Sequence, residues 1–325
     1  MRRRAVIAGL GAVAACPFVS AAQTPSPVVG FLGSEVEEKG SARFRAFHKA
    51  LGEAGFTDGR NLVIEYRWAQ SQVDRYPALA AELVSLRVSA IASMAGIPSA
   101  RAAKAATTTI PIVTQGGFDP VETGIVASLG HPGGNITGVT NLGASLAPKR
   151  LEVMHELLPD AKVFGLLVNP VHPVTPAQSR DVEAAARTLG LEIRLVRATT
   201  PQDFEPAFAG LAALGVKGLV IGAGQPFTTR SAELAELASR YQVPAVAESH
   251  EFVAGGGAMT YSGNREDTYA LAGQYIARIL KGEKPADLPI LRSTKVELII
   301  NMKAAKALGL TVPITLLGRA DEVIE

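Results

Sequence analysis

Short apolar segments alternate with segments of helical periodicity along most of this chain. The run Pro27–Leu32 is the first apolar segment, and Glu37–Ala54 follows it with apolar side chains at helical spacing. Similar pairs recur as far as residue 247. Strands that alternate with helices in this way form parallel sheets covered by helices on both faces. The pattern therefore predicts an α/β fold with doubly wound parallel sheets.

The alternation runs twice, once before and once after Asn141, which predicts two similar lobes with right-handed crossovers. The strands predicted before Asn141 are 27–32, 62–68, 88–93, 110–114 and 136–140. Those predicted after it are 162–169, 192–196, 218–221, 243–247 and the ELIIN segment near the end. The predicted helices include Pro120–Leu129 and Asp267–Leu280.

The first 22 residues have the order of a secretory signal peptide. A cationic head, Arg2–Arg4, precedes the apolar run Ala5–Ala15, and Ser20–Ala22 supplies small residues for cleavage. The apolar run is too short to span a bilayer, which takes about 20 residues. We expect cleavage after Ala22 and export to the periplasm. The alternative is a lipoprotein anchored through Cys16, which follows Val13-Ala14-Ala15 as in a lipobox.

Composition excludes several classes of partner and chemistry. The formal net charge is +2 over 325 residues and no basic stripe is present, so we expect no nucleic-acid partner. A single cysteine cannot form an intramolecular disulfide. The five histidines lack metal-ligand spacing, and no nucleophile elbow or phosphate-binding loop occurs. We therefore expect no catalytic residue, no metal and no cofactor.

Ligands of open α/β sheets bind beyond the carboxyl ends of the strands, so the loops there are the candidate site. These loops combine glycine, short polar side chains and proline at helix starts, an arrangement suited to a carboxylate. Each loop taken alone has another interpretation, in which Ser99 and Asp119 only cap helices. Glu248 follows a predicted strand and could contact an ammonium group. Glu251 is interpreted as a solvated charge.

Several long stretches resemble one protein family. They are GRNLVIEYRWAQ (59–70), AAKAATTTIPIV (102–113), DPVETGIVASLGHPGGNITGVT (119–140), KRLEVMHELLP (149–159), EFVAGGGAMTYS (251–262), ARILKGEKPADLPI (277–290) and the tail from residue 295 to 325. These stretches are similar to the substrate-binding proteins of ABC transporters, of the tryptophan/tyrosine uptake type. The resemblance implies a type I periplasmic-binding fold, with two lobes joined by a hinge. It places lobe 1 at 27–141 plus about 262–292, and lobe 2 at 142–261 plus about 293–325.

The resemblance also implies the ligand-binding positions. These are Ser34, Gly96, Ser99, Gln115, Asp119, Thr140 and Asn141 in the first lobe, with Asn169, Gln225, Glu248 and Tyr261 facing them. The segment Ala247–His250 departs from the family, whose members often have an aromatic residue and a proline there. Glu248 is then an added partner for an amine.

The function that these features predict is a non-catalytic, exported solute-binding protein of an ABC importer. It would bind a small carboxylate-bearing metabolite, an amino acid or similar, between the lobes and close by a hinge motion. Its partners would be that ligand and an ABC permease in the inner membrane, and we expect a monomer. The alternatives are an exported α/β hydrolase or isomerase and the ligand-sensing domain of a receptor.

Overall fold

The computed structural model describes residues 25–34, 40–141 and 143–325. The predicted signal peptide, with Cys16, lies outside these ranges, as does the beginning of the helix predicted from Glu37. Within these ranges no helix is long and apolar enough to cross a membrane.

The first sheet has six strands, all paired in parallel. In spatial order they are β11 (Leu291–Arg292), β5 (Ile136–Thr140), β4 (Ile112–Gly116), β3 (Ala90–Ser93), β1 (Val28–Gly33) and β2 (Val63–Trp68). Helices α1 (Ala42–Glu53) and α9 (Arg265–Leu280) pack on each other and cover one face, and α2 (Tyr76–Ser85) and α3 (Gly96–Ala106) cover the other. We call this sheet and its four helices the first lobe.

The second sheet has seven strands. In spatial order they are β13 (Glu322–Ile324), β12 (Val296–Asn301), β10 (Met259–Gly263), β9 (Ala245–Ala247), β8 (Gly218–Ile221), β6 (Val163–Val168) and β7 (Glu192–Arg197). Its helices are α4 (Ala147–Leu157), α5 (Thr175–Leu189), α6 (Phe204–Gly210), α7 (Ser231–Arg240), α8 (His250–Ala254), α10 (Met302–Ala307) and α11 (Ile314–Leu317). We call this sheet and these helices the second lobe. Apolar clusters lie on both faces of the sheet, so each lobe has a core on either side.

The chain passes between the lobes after β5, after β10 and after β11. These crossings lie side by side. The Ser293 amide donates to the Thr140 carbonyl at 2.8 Å, and the Asn264 amide donates to the Lys295 carbonyl at 2.8 Å. Asn264 also caps α9, because its Oδ1 accepts from the Asp267 amide at 2.6 Å. The helix that packs on α1 therefore begins at a crossing.

Several features differ from the expectation drawn from the sequence. The predicted helix Pro120–Leu129 does not form. Asp119 caps a single turn there, and Gly124 leaves helical geometry with a φ of +71°. The second sheet is also not wholly parallel, because β10 and β12 pair antiparallel. The strand β10 was not predicted from the sequence. It follows Gly255–Gly257, a run of glycines that is typical of a loop.

Candidate functional site

A cavity of about 760 Å³ lies between the two lobes. The loops that follow β1, β3, β4 and β5 line it from the first lobe, and those that follow β6, β8 and β9 line it from the second. The carboxyl ends of both sheets therefore point at the same space, as in other open parallel sheets that bind ligands.

Six of the eleven residues predicted from the sequence line this cavity. They are Ser34, Gly96, Gln115, Asn141, Gln225 and Glu248. The other five do not line it: Ser99, Asp119, Thr140, Asn169 and Tyr261. Their side chains or carbonyls instead support the loops that do.

Ser99 and Thr140 act inside the first lobe. Ser99 is fully buried, and its Oγ accepts from the Ala95 amide at 3.1 Å and donates to the Gly96 carbonyl at 3.0 Å. The Oγ1 of Thr140 donates to the Phe118 carbonyl at 2.7 Å. These hydrogen bonds fix the starts of two lining loops, so both hydroxyls have protein partners.

Asp119, Asn169 and Tyr261 have similar supporting roles. The Oδ1 of Asp119 accepts from the Val121 amide at 2.8 Å, which corresponds to the capping interpretation. The Nδ2 of Asn169 donates to the Gln225 carbonyl at 3.0 Å, and the carbonyl of Tyr261 accepts from Arg150 at 3.1 Å. None of the three presents its side chain to the cavity.

Gln225 and Ser34 contact each other from opposite lobes. The Nε2 of Gln225 donates to the Oγ of Ser34 at 2.5 Å and lies 3.4 Å from the hydroxyl of Tyr76, which is fully buried. Since Gln225 follows β8 and Ser34 follows β1, this contact holds the two lobes together at the cavity.

An ion pair between Arg43 and Glu251 also joins the lobes, because Arg43 lies on α1 and Glu251 on α8. Ser249 donates a further hydrogen bond to this carboxylate. Burial alone would raise the pKa of Glu251, but the charges of Arg265 and Arg43 outweigh it and hold that pKa well below its usual range. Glu251 is therefore an ion-paired carboxylate and not only a solvated charge, although 43% of its side chain stays exposed.

The carboxylate of Glu248 has a different environment. Its Oε1 accepts from the Gly224 amide at 3.3 Å, and its Oε2 lies 3.9 Å from the Nη2 of Arg150. Arg150 is fully buried and donates to the carbonyls of Gly143 and Tyr261 at 2.9 and 3.1 Å. Burial lowers the pKa of Arg150, and the Glu248 charge partly offsets that effect.

His172 lines the cavity next to Gly224, where no side chain would fit. A Cβ at Gly224 would lie 2.4 Å from the Nε2 of His172. Burial, with a smaller contribution from the charge of Arg101, lowers the pKa of His172 to about 4. The ring is therefore neutral at neutral pH and adds a weakly polar wall to the cavity.

Sequence reasoning missed Arg43, Arg150 and His172. Arg43 and Arg150 lie within helices, outside the strand-end loops from which the candidates were drawn. His172 was passed over because no histidine is spaced from another as metal ligands are. Helical periodicity could have shown Arg150 on the apolar face of α4, between Ala147 and Leu151.

The start of α3 gives the cavity a place for an anion. Gly96 and Ile97 line it, and the first amides of a helix have no acceptor within that helix. The glycine turn Gly116–Gly117 lies beside the start of α3, and it has no side chains that would keep a ligand away from the backbone. Together they suit a carboxylate. In the described ranges no three His, Cys, Asp or Glu side chains lie close enough to hold a metal ion.

Comparisons with known proteins agree with this geometry. Residues 36–324 match the family model described as ABC transporter substrate binding protein. A tyrosine-binding protein of Clostridioides difficile (strain R20291) is 27% identical over 266 residues, which cover 82% of this chain and 76% of that protein.

Solved structures show the same fold. An ABC domain from Streptococcus pneumonia in complex with L-Trp superimposes with a TM-score of 0.84 at 22% identity, covering 92% of this chain and all of that one. A conserved domain protein from Vibrio cholerae gives 0.84 at 24% identity, covering 92% and 99%. The ligand-free, open structure of a Clostridium difficile substrate-binding protein gives 0.68 at 25% identity, with the same coverage. The type I periplasmic-binding fold is thus confirmed, and the match over 36–324 makes this chain a member of the ABC transporter substrate-binding protein family, whose members bind solutes and are not enzymes.

Proposed function

We propose that this protein is exported and captures an amino acid for an ABC importer. The observation that carries the proposal is the cavity itself, which both lobes line and across which Gln225 contacts Ser34. A solute bound there touches both lobes and so favours their closure, and closure presents one surface to a permease.

An amino acid suits the chemistry of the lining. The start of α3 and the adjoining glycine turn provide backbone amides for its carboxylate. The wall made by Met94, Ile97 and Phe118 provides apolar contact for a side chain. The similarity to a tyrosine-binding protein and to a tryptophan complex supports the same class of ligand.

Binding is tested on the mature protein with the twenty L-amino acids in a thermal-shift screen, followed by calorimetry. A ligand at 100 times its dissociation constant should stabilise the protein by about 2.7 kcal/mol. We also expect it to reduce the radius of gyration in small-angle scattering. If no amino acid stabilises the protein, the proposed ligand class is wrong, and recovery of a chemically altered compound would contradict a non-catalytic role.

We expect export because of the predicted signal peptide, residues 1–22, which would make the mature protein periplasmic. We also propose that the mature protein is a monomer. Intact-mass measurement of periplasmic protein should give a chain that begins at Gln23. A lipid-modified chain that begins at Cys16 would instead establish a membrane-anchored lipoprotein.

A further inference from the structure

Among the residues that the structure describes, two carboxylates line the cavity, and only one of them is available to a ligand. Glu251 is committed to Arg43 and Ser249. Glu248 makes no ion pair within hydrogen-bond distance in the described part of the chain, and its side chain is only 15% exposed. We propose that Glu248 binds the ammonium group of the ligand, and that Arg150 positions it. This inference rests on the proposed amino-acid ligand.

The ligand-facing atom is the Oε1 of Glu248. Oε2 is buried beside Arg150 and has no hydrogen-bond partner among the described residues. Oε1 is therefore the carboxylate oxygen that we assign to the cavity, which Glu248 lines. Oε1 accepts one long hydrogen bond, from the Gly224 amide at 3.3 Å, so a second acceptor position is left for the ligand.

Arg150 does not hydrogen-bond this carboxylate, because its Nη2 lies 3.9 Å from Oε2. Its Nη1 and Nη2 donate instead to the backbone carbonyls of Tyr261 and Gly143. Its charge, 3.9 Å behind Oε2, offsets part of the cost of burying Glu248. Arg150 is fully buried and does not line the cavity, so it acts through Glu248 and is a positioning residue.

Gly143 leaves room for the carboxylate of Glu248. A Cβ at this position would lie 2.9 Å from the Oε2 of Glu248, so any larger residue would push the side chain aside. A ligand carboxylate is repelled by Glu248, whereas an ammonium group makes a charge-assisted hydrogen bond. The ligand would therefore lie with its ammonium group against the second lobe and its carboxylate against the first.

The test compares matched ligands that differ only in their charged groups. The probes are L-tyrosine, 3-(4-hydroxyphenyl)propionate, which lacks the amine, and tyramine, which lacks the acid. L-Tryptophan, indole-3-propionate and tryptamine form a second set. Calorimetry measures each compound on the wild type, on Glu248→Gln and on the control Glu251→Gln.

We expect the wild type to bind the amino acid at least tenfold more tightly than the compound without the amine. Glu248→Gln should weaken amino-acid binding by about 10- to 100-fold, as expected for the loss of a hydrogen bond between charged groups. It should leave the compound without the amine unchanged or bound more tightly, so that the discrimination disappears. Glu251→Gln should weaken both compounds by the same factor and keep the discrimination.

The other outcomes would contradict the role of Glu248, the role of Arg150 or the proposed ligand class. If Glu248→Gln keeps the full preference for the amine, Glu248 is not the ammonium site, although the amino-acid ligand stands. If Arg150→Lys restores neither affinity nor discrimination relative to Arg150→Met, the positioning role is wrong. Binding of tyramine or tryptamine without the amino acids supports Glu248 and overturns the proposed function, and binding of none of the six compounds overturns both.

Discussion

Gln225 and Ser34 meet across the cavity, with the Nε2 of Gln225 2.5 Å from the Oγ of Ser34. The two residues are 191 positions apart in sequence and belong to different lobes. The contact therefore exists only while the two lobes are together at the cavity, and under the proposed hinge motion it would break when the lobes separate.

Removing this contact should weaken ligand binding without unfolding either lobe. For Gln225→Ala we expect about a 3- to 10-fold rise in the dissociation constant, because a hydrogen bond contributes about 1 kcal/mol. The loss should appear mainly in a faster dissociation rate, measured by stopped-flow fluorescence. The exposed Gln202, also on the second lobe, is the matched control, and Gln202→Ala should leave both constants unchanged.

The ion pair between Arg43 and Glu251 should favour closure in the same way. Arg43→Ala should increase the radius of gyration of the ligand-free protein, and 0.5 M salt should have a similar effect on the wild type because the pair is partly exposed. Arg278 makes an ion pair with Glu283 inside the first lobe, so Arg278→Ala serves as the control. Equal radii for the two variants would show that the cross-lobe pair does not influence closure.

Arg150 should matter for stability as well as for the site. Arg150→Met leaves the buried Glu248 carboxylate uncompensated and two carbonyls without donors. We expect a loss of about 3–5 kcal/mol in urea unfolding. The loss should be smaller when Glu248→Gln is already present, since the uncompensated charge is then gone. Arg187→Met, at an exposed position on α5, should cost little.

His172 should make stability depend on pH below neutrality. Its folded pKa of about 4 is below the ordinary value of 6.5, so the unfolded chain binds the proton first as the pH falls. The wild type should therefore lose up to roughly 3 kcal/mol between pH 6.5 and 4, by the linkage of 1.36 kcal/mol per unit. His172→Gln should remove that part of the loss, and the exposed His131→Gln should not. Parallel profiles for the wild type and His172→Gln would contradict the shift.

The α/β architecture was predictable because its signal is local. Apolar runs such as 163–168 and the helical periodicity that follows them decide strand and helix within about a dozen residues. The strand-end rule then selected loops that line the cavity, and six of the candidates lie there.

The remaining site features depend on contacts that a local pattern cannot show. Arg43 and Glu251 are 208 positions apart, so neither neighbourhood reveals the pair. Ser99 and Asp119 have the composition of ligand residues, yet their side chains bond to their own loops. A short polar residue at a helix or turn start serves either purpose, and only the fold decides between them.

The interleaved crossings determine when each lobe can be completed during synthesis. The first sheet takes its edge strand β11 and its covering helix α9 from residues 265–292, long after β5 ends at Thr140. The second lobe receives β12 and β13 only from residues beyond 295. A truncated chain that stops at residue 263 would leave α1 without α9 and expose the apolar side chains that α9 covers. Neither lobe can thus reach its full structure until nearly the whole chain has been synthesised, so the two lobes are completed together rather than one after the other.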